Sequence, residues 1–159
     1  MPRHPTWLLR PNTRPGRGDG HLVRAVVDVN VLISGVLSAK GQPAEILRAC
    51  RDGQFELVIS EALLKELQRT LAYPKLRKHI SRAKAAAYIN WVRDHGTFAE
   101  DPTSQPSVSS RDPDDDYLLA LAIDRRAYLV TGDRDLLVLV EDLPILTPEQ
   151  FLAELEQQR

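Results

Sequence analysis

Short apolar runs alternate along this chain with amphipathic helical patterns, and that alternation limits the possible folds more than any other feature. Arg24-Ala25-Val26-Val27-Asp28 is a short apolar run ending in an acid, the pattern of a buried strand. Ala44, Ile46, Leu47 and Cys50 then recur at helical spacing over Pro43 to Arg51, with Gly53 just past the end. Phe55 to Ile59 reads as a second strand. Ser60 caps a helix running to about Ala72, with Leu63, Leu64, Leu67 and Leu71 on its inner face. Pro74 to about Gly96 reads as a longer helical stretch, broken at most once, and Asp101 to Asp112 as a polar loop rich in Pro and Ser. A helix beginning at Asp114 or Asp115, strands at Tyr128 to Thr131 and Leu143 to Leu146, and a closing helix from Pro148 to about Glu156 complete the series. The fold class expected from this order is a three-layer α/β/α domain around a central, mostly parallel sheet of four to five strands.

The first 21 residues stand apart. They are rich in Pro, Arg and Gly and carry almost no periodic apolar pattern. Such a stretch buries too little surface to offset its ordering entropy. The expected division is a disordered extension over 1–21 and one folded domain over 22–159. Two other readings of the extension are an RNA-binding arm built on Arg3, Arg10, Arg14 and Arg17, and a true start at Val23 in place of Met1.

A net charge of −1 gives no global field to attract a polyanion, although divalent cations invert the local charge of an acidic site. Cys50 is the single cysteine, so there is neither an internal disulfide nor a Cys-rich zinc site, and a reducing cytoplasm is the expected compartment. No apolar run approaches the roughly 20 residues of a membrane span. Asp28 to Ser34 lacks a glycine-rich phosphate loop, which argues against a dinucleotide-binding protein. His4, His21, His79 and His95 show no zinc-ligand spacing.

What remains is a set of acids from distant parts of the chain. Asp28 ends the first strand and Asp133 follows the third, so the rule that function gathers at the carboxyl ends of parallel strands brings them together. Asp114, Asp115 and Asp116 lie at the start of the preceding helix. Crowded carboxylates are costly to ionise alone, and a hard divalent cation relieves that cost. Singly, each residue has an ordinary explanation: helix caps for Asp114 to Asp116, a turn for Asp133, a solvated helix face for Glu66. Gly132 reads as a residue permitting a tight turn after its strand.

In order along the chain, these segments resemble the PIN-domain family, and in particular its toxin nucleases. Val26-Val27-Asp28-Val29-Asn30-Val31-Leu32 is similar to the family's opening strand and its metal-binding Asp. Ser60 to Leu67 resembles the helix supplying the second acid, here Glu66. Asp112 to Ala122 resembles the third motif, with Asp115 in the acidic role and Asp116 next in line, and Tyr128 to Leu137 resembles the fourth, with Asp133. Val29 stands where the family commonly has Thr, which removes a hydroxyl but no carboxylate.

The resemblance covers roughly Val23 to Leu155. It implies a PIN-like, Rossmann-like fold and hydrolysis of RNA with Mg2+ or Mn2+ held by Asp28, Glu66, Asp115 and Asp133. Asn30 and Thr131 would assist by hydrogen bonding. It also implies a small neighbouring antitoxin and a homodimer. A basic stretch of Arg69, Lys75, Arg77, Lys78, Arg82 and Lys84 is mainly a solvated face with a phosphate-contacting subset. The alternatives are a catalytically silent binding module of the same fold and a receiver-like phosphotransfer protein using Asp28; the absence of a Lys after the strand at Leu129 weighs against the latter.

Overall fold

A computed structural model describes residues 22–102, 116–137 and 144–158. The extension over 1–21 and most of the Pro/Ser-rich loop, with Asp112, Asp114 and Asp115, lie outside the described residues.

Five strands form one sheet: β1 (Arg24–Val27), β2 (Glu56–Ile59), β3 (Thr97–Phe98), β4 (Tyr128–Val130) and β5 (Ile145–Leu146). Their spatial order is β3-β2-β1-β4-β5, and every pairing is parallel. Consecutive residues of a strand face opposite sides of a sheet, yet Ala25, Val26 and Val27 are all fully buried. β1 is therefore covered on both faces, which is the three-layer arrangement expected. The helices α1 (Val29–Leu37), α2 (Gln42–Arg51), α3 (Glu61–Leu71), α4 (Pro74–Arg77), α5 (Arg82–His95), α6 (Asp116–Asp124), α7 (Arg134–Leu137) and α8 (Pro148–Gln157) flank it. No helix among the described residues is long and apolar enough to cross a membrane.

Three elements depart from the sequence reading. The segment after Asp28 is a helix, α1, not a continuation of strand or loop. A two-residue strand, β3, follows α5 and pairs with β2 through Val58 and Thr97. A single turn of helix, α7, follows β4. The expected helical stretch from Pro74 is broken once, between α4 and α5. At the end of α2, Gly53 takes φ 74°, while its N–H reaches Cys50 O and the Gln54 N–H reaches Ala49 O. That pairing stops the helix and turns the chain into β2.

The connectivity sets where a site can form. From β1 the chain steps outward to β2 and β3, then returns to the other side of β1 for β4 and β5. The order reverses between β1 and β4, and the crevice above their carboxyl ends is the natural place for a ligand. α1 is held there by neighbours: Tyr88 of α5 donates its hydroxyl to Leu32 O at 2.7 Å, and burial pushes that phenol upward, keeping it a donor. Gly35 of α1 lets α2 approach closely, since a Cβ there would stand 2.7 Å from Leu47 Cδ1 and 2.9 Å from Pro43 O. Gly132 differs. Its φ is not left-handed, so the turn after β4 does not require glycine there, and a Cβ would meet no described atom within 4 Å.

These two glycines should respond oppositely to alanine. Gly35→Ala is expected to destabilise by about 1–3 kcal/mol through overpacking against the Pro43 backbone. Gly132→Ala should be neutral or stabilising by up to ~1 kcal/mol. Urea unfolding of both variants checks this.

Candidate active site

Asp28 occupies the position where β1 stops and α1 begins. Its backbone N–H continues the sheet ladder to Val130 O at 2.9 Å, so the sheet fixes its Cα. Its side chain does two jobs. Oδ1 accepts the Asn30 N–H at 3.2 Å, capping α1, and Oδ2 accepts the Thr131 hydroxyl at 2.6 Å. Thr131 is fully buried at the end of β4, and its oxygen also accepts the Asp133 N–H at 3.0 Å. One hydroxyl thus ties the acid after β1 to the loop carrying the acid after β4.

Asp28 is only 5% exposed. Burial raises its pKa above the ordinary carboxylate value; the Thr131 hydroxyl and Asn30 N–H oppose the rise, the nearby Asp133 charge adds to it, and the net shift is upward. A carboxylate in this state is short of positive charge.

Glu66 reaches the same crevice from α3. Ser60 Oγ accepts the Leu63 N–H and Asp101 Oδ2 accepts the Ala62 N–H, so the start of α3 is capped twice. Leu63, Leu64, Leu67 and Leu71 are buried and orient the helix. Glu66 is then left on the edge facing a cleft of about 800 Å³, which it lines with Asp28, Asn30, Lys65, Arg69 and Tyr117. A second cleft of about 390 Å³ opens on the other side of Asp28 and Asn30, lined also by Ser34, Gly132 and Asp133.

The structure therefore joins Asp28, Asn30, Thr131 and Asp133 in one hydrogen-bonded corner and sets Glu66 across a shared cleft. Asp115 and the side chain of Asp116 lie outside the described residues. Among the described residues, no three acidic, histidine or cysteine side chains are close enough to hold a metal ion together. The donor chemistry nonetheless fits a hard cation. The donors are carboxylate oxygens, and the buried one would be stabilised by positive charge.

Glu66 is also engaged elsewhere. Arg69 Nε meets its Oε1 at 3.1 Å and Arg69 Nη2 its Oε2 at 2.6 Å. Of the basic stretch expected from sequence, Arg69 lines this cleft. Lys65 was missed, although its spacing of four from Arg69 puts both on one helix edge. Tyr117 and Ser34 carry no sequence signal of their own.

The raised Asp28 carboxyl has a definite sign in pH. A group whose folded pKa exceeds its unfolded value contributes stability below the unfolded pKa and loses it as pH rises through the folded one. Asp28 therefore weakens the metal-free fold at neutral pH. Asn caps a helix as well as Asp does. Asp28→Asn should melt at an equal or higher temperature than wild type in chelator at pH 7, and the difference should close toward low pH. A variant that melts lower at pH 7 would make Asp28 a structural residue.

Comparison with known proteins identifies the fold and the family. The chain is 28% identical over 145 residues to the uncharacterized protein MJ1680 of Methanocaldococcus jannaschii, covering 85% of this chain and 93% of that protein. Its fold is similar to that of PAE2754 from Pyrobaculum aerophilum, with a TM-score of 0.56 and 17% identity, covering 87% of this chain and 92% of that one. Residues 24–135, from the first strand through the acids after β4, match the PIN domain family, so the chain belongs to that family and carries its nuclease fold.

Proposed function

We propose that this chain is a Mg2+- or Mn2+-dependent endoribonuclease and the toxin of a type II toxin–antitoxin pair. The observation that carries the catalytic reading is the corner at the β1/β4 reversal. There a buried carboxyl raised by desolvation stands beside a second acid, with a third across an open cleft. Asp28, Glu66, Asp133 and, by resemblance, Asp115 would hold the metal. When bound, a divalent ion supplies positive charge to the phosphoryl oxygens and makes water more acidic.

The chain's own residues do the rest. Thr131 and the Asn30 N–H fix the Asp28 carboxylate from two sides, so that it does not reorient during reaction. Lys65 and Arg69, on one edge of α3, offer cations to the phosphates of a strand lying in the cleft. The toxin role rests on the family resemblance, as does the homodimer. An antitoxin side chain of Arg or Lys near Asp28 and Asp133 would supply the charge the corner lacks.

A second reading is favoured by one observation. With both Glu66 oxygens held by Arg69, the fold could bind nucleic acid without cutting it. Incubation with RNA in Mg2+, Mn2+ or excess EDTA, followed by sequencing of the ends, separates the two. Cleavage should require metal and fall by more than about 100-fold in Asp28→Asn and Glu66→Gln, the upper limit for residues that only support ligands. Cutting undiminished in EDTA would sink the metal reading, and no cutting in any metal would favour the binding module. Growth arrest unrelieved by co-expressing the adjacent gene would count against the toxin role.

A further inference from the structure

The metal-nuclease reading leaves the Glu66–Arg69 pair unexplained, because a ligand already held by a guanidinium is a poor place for a divalent ion. The geometry points to an exchange: Arg69 is the counter-ion of Glu66 in the metal-free protein and the phosphate-binding cation of the loaded site. This inference rests on that reading.

Arg69 grips Glu66 in fork geometry, one nitrogen to each carboxylate oxygen. Oε1 keeps a further lone pair while Oε2 also accepts the Thr70 hydroxyl at 3.4 Å, and an ion bound at either oxygen would sit against a guanidinium. Metal and Arg69 therefore compete for Glu66. The pair is also easily exchanged, since the Arg69 side chain is 60% exposed and that of Glu66 36%. Ion pairs so open to water contribute little.

Release from Glu66 would not send Arg69 into solvent. Its guanidinium carbon lies 5.4 Å from the centre of the Tyr73 ring, and Nη1 hydrogen-bonds the Tyr73 hydroxyl. Tyr73 is 40% exposed, among the few large apolar-bodied side chains left open, and this contact gives it a purpose. Arg69 has one anchor that metal displaces and one that metal leaves alone. Held by Tyr73 at the cleft lining, the freed fork matches the oxygens of a phosphodiester. A cleft whose two acids, Asp28 and Glu66, offset its two bases, Lys65 and Arg69, when empty thus gains both a divalent ion and an unmasked arginine when loaded. Metal and RNA must then favour one another's binding, reciprocally and by the same factor.

The test measures Mn2+ binding by the EPR signal of free Mn2+, and binding of a short fluorescein-labelled single-stranded RNA in Ca2+, for wild type, Arg69→Gln and Lys65→Gln. Without RNA, Arg69→Gln should bind Mn2+ about five-fold tighter than wild type, the loss of one exposed competing pair. It should bind the RNA on the order of ten-fold more weakly, as expected for a lost charged hydrogen bond. RNA should raise Mn2+ affinity less in Arg69→Gln than in wild type. Lys65→Gln removes one charge from the same helix edge and should leave Mn2+ affinity much closer to wild type. The exchange is overturned if Arg69→Gln leaves Mn2+ affinity unchanged, if Lys65→Gln tightens it equally, or if RNA affinity does not fall. A wild-type protein that binds no Mn2+ overturns the metal reading, and this inference with it.

Discussion

The 2.6 Å hydrogen bond from the Thr131 hydroxyl to the Asp28 carboxylate is the contact on which the site depends. It closes the gap between the ends of β1 and β4, the two strands where the sheet reverses its order. It joins residues 103 positions apart in sequence, and the same oxygen accepts the Asp133 N–H, fixing the loop after β4. Burial makes this bond strong and makes the carboxylate expensive. The fold around it, from the buried Ala25–Val27 run of β1 to the α1 helix capped by Asp28 itself, holds a charge that folding alone would not favour. Strain of this kind at one point in an otherwise consistent structure is what a functional site looks like physically.

Much of this was legible in the sequence because the site obeys topology. Two acids following two apolar strands meet if those strands are parallel neighbours, and Asp28 and Asp133 do. The leucines of α3 gave its buried face, and with it the edge that carries Glu66. The segment after Asp28 was not legible as a helix, for a physical reason. Val29, Val31, Leu32, Ile33 and Gly35 are all buried, so α1 keeps only a narrow exposed edge, Asn30, Ser34 and Leu37, with two polar residues too few to mark a helical period. β3 is two residues long and exists only through its pairing with β2, a contact that no local pattern encodes. Gly132 shows the limit of such readings: the chain turns after β4, but the backbone there is of a kind other residues adopt, and no described atom lies within 4 Å of a Cβ at that position.

The balance of charge has a consequence for function. A chain of net charge −1, with Asp28, Glu66 and Asp133 lining its crevice, has no general attraction for RNA. Under the proposed function, attraction would come from local cations: a metal among the carboxylates, and the Lys65 and Arg69 side chains along α3. Arg69 is paired with Glu66, so under the proposed exchange affinity for substrate and readiness for chemistry would be linked through a single ion pair.

The central claim is that Asp28 is a buried carboxylate waiting for a divalent cation. Thermal or urea unfolding with and without Mn2+, on wild type and Asp28→Asn, tests it most directly. Mn2+ at a hundred times its Kd should stabilise the wild-type protein by about 2.7 kcal/mol, the gain expected of any ligand that binds only the folded state. The same concentration should do little for the variant. Equal stabilisation of both proteins, or of neither, would contradict the account.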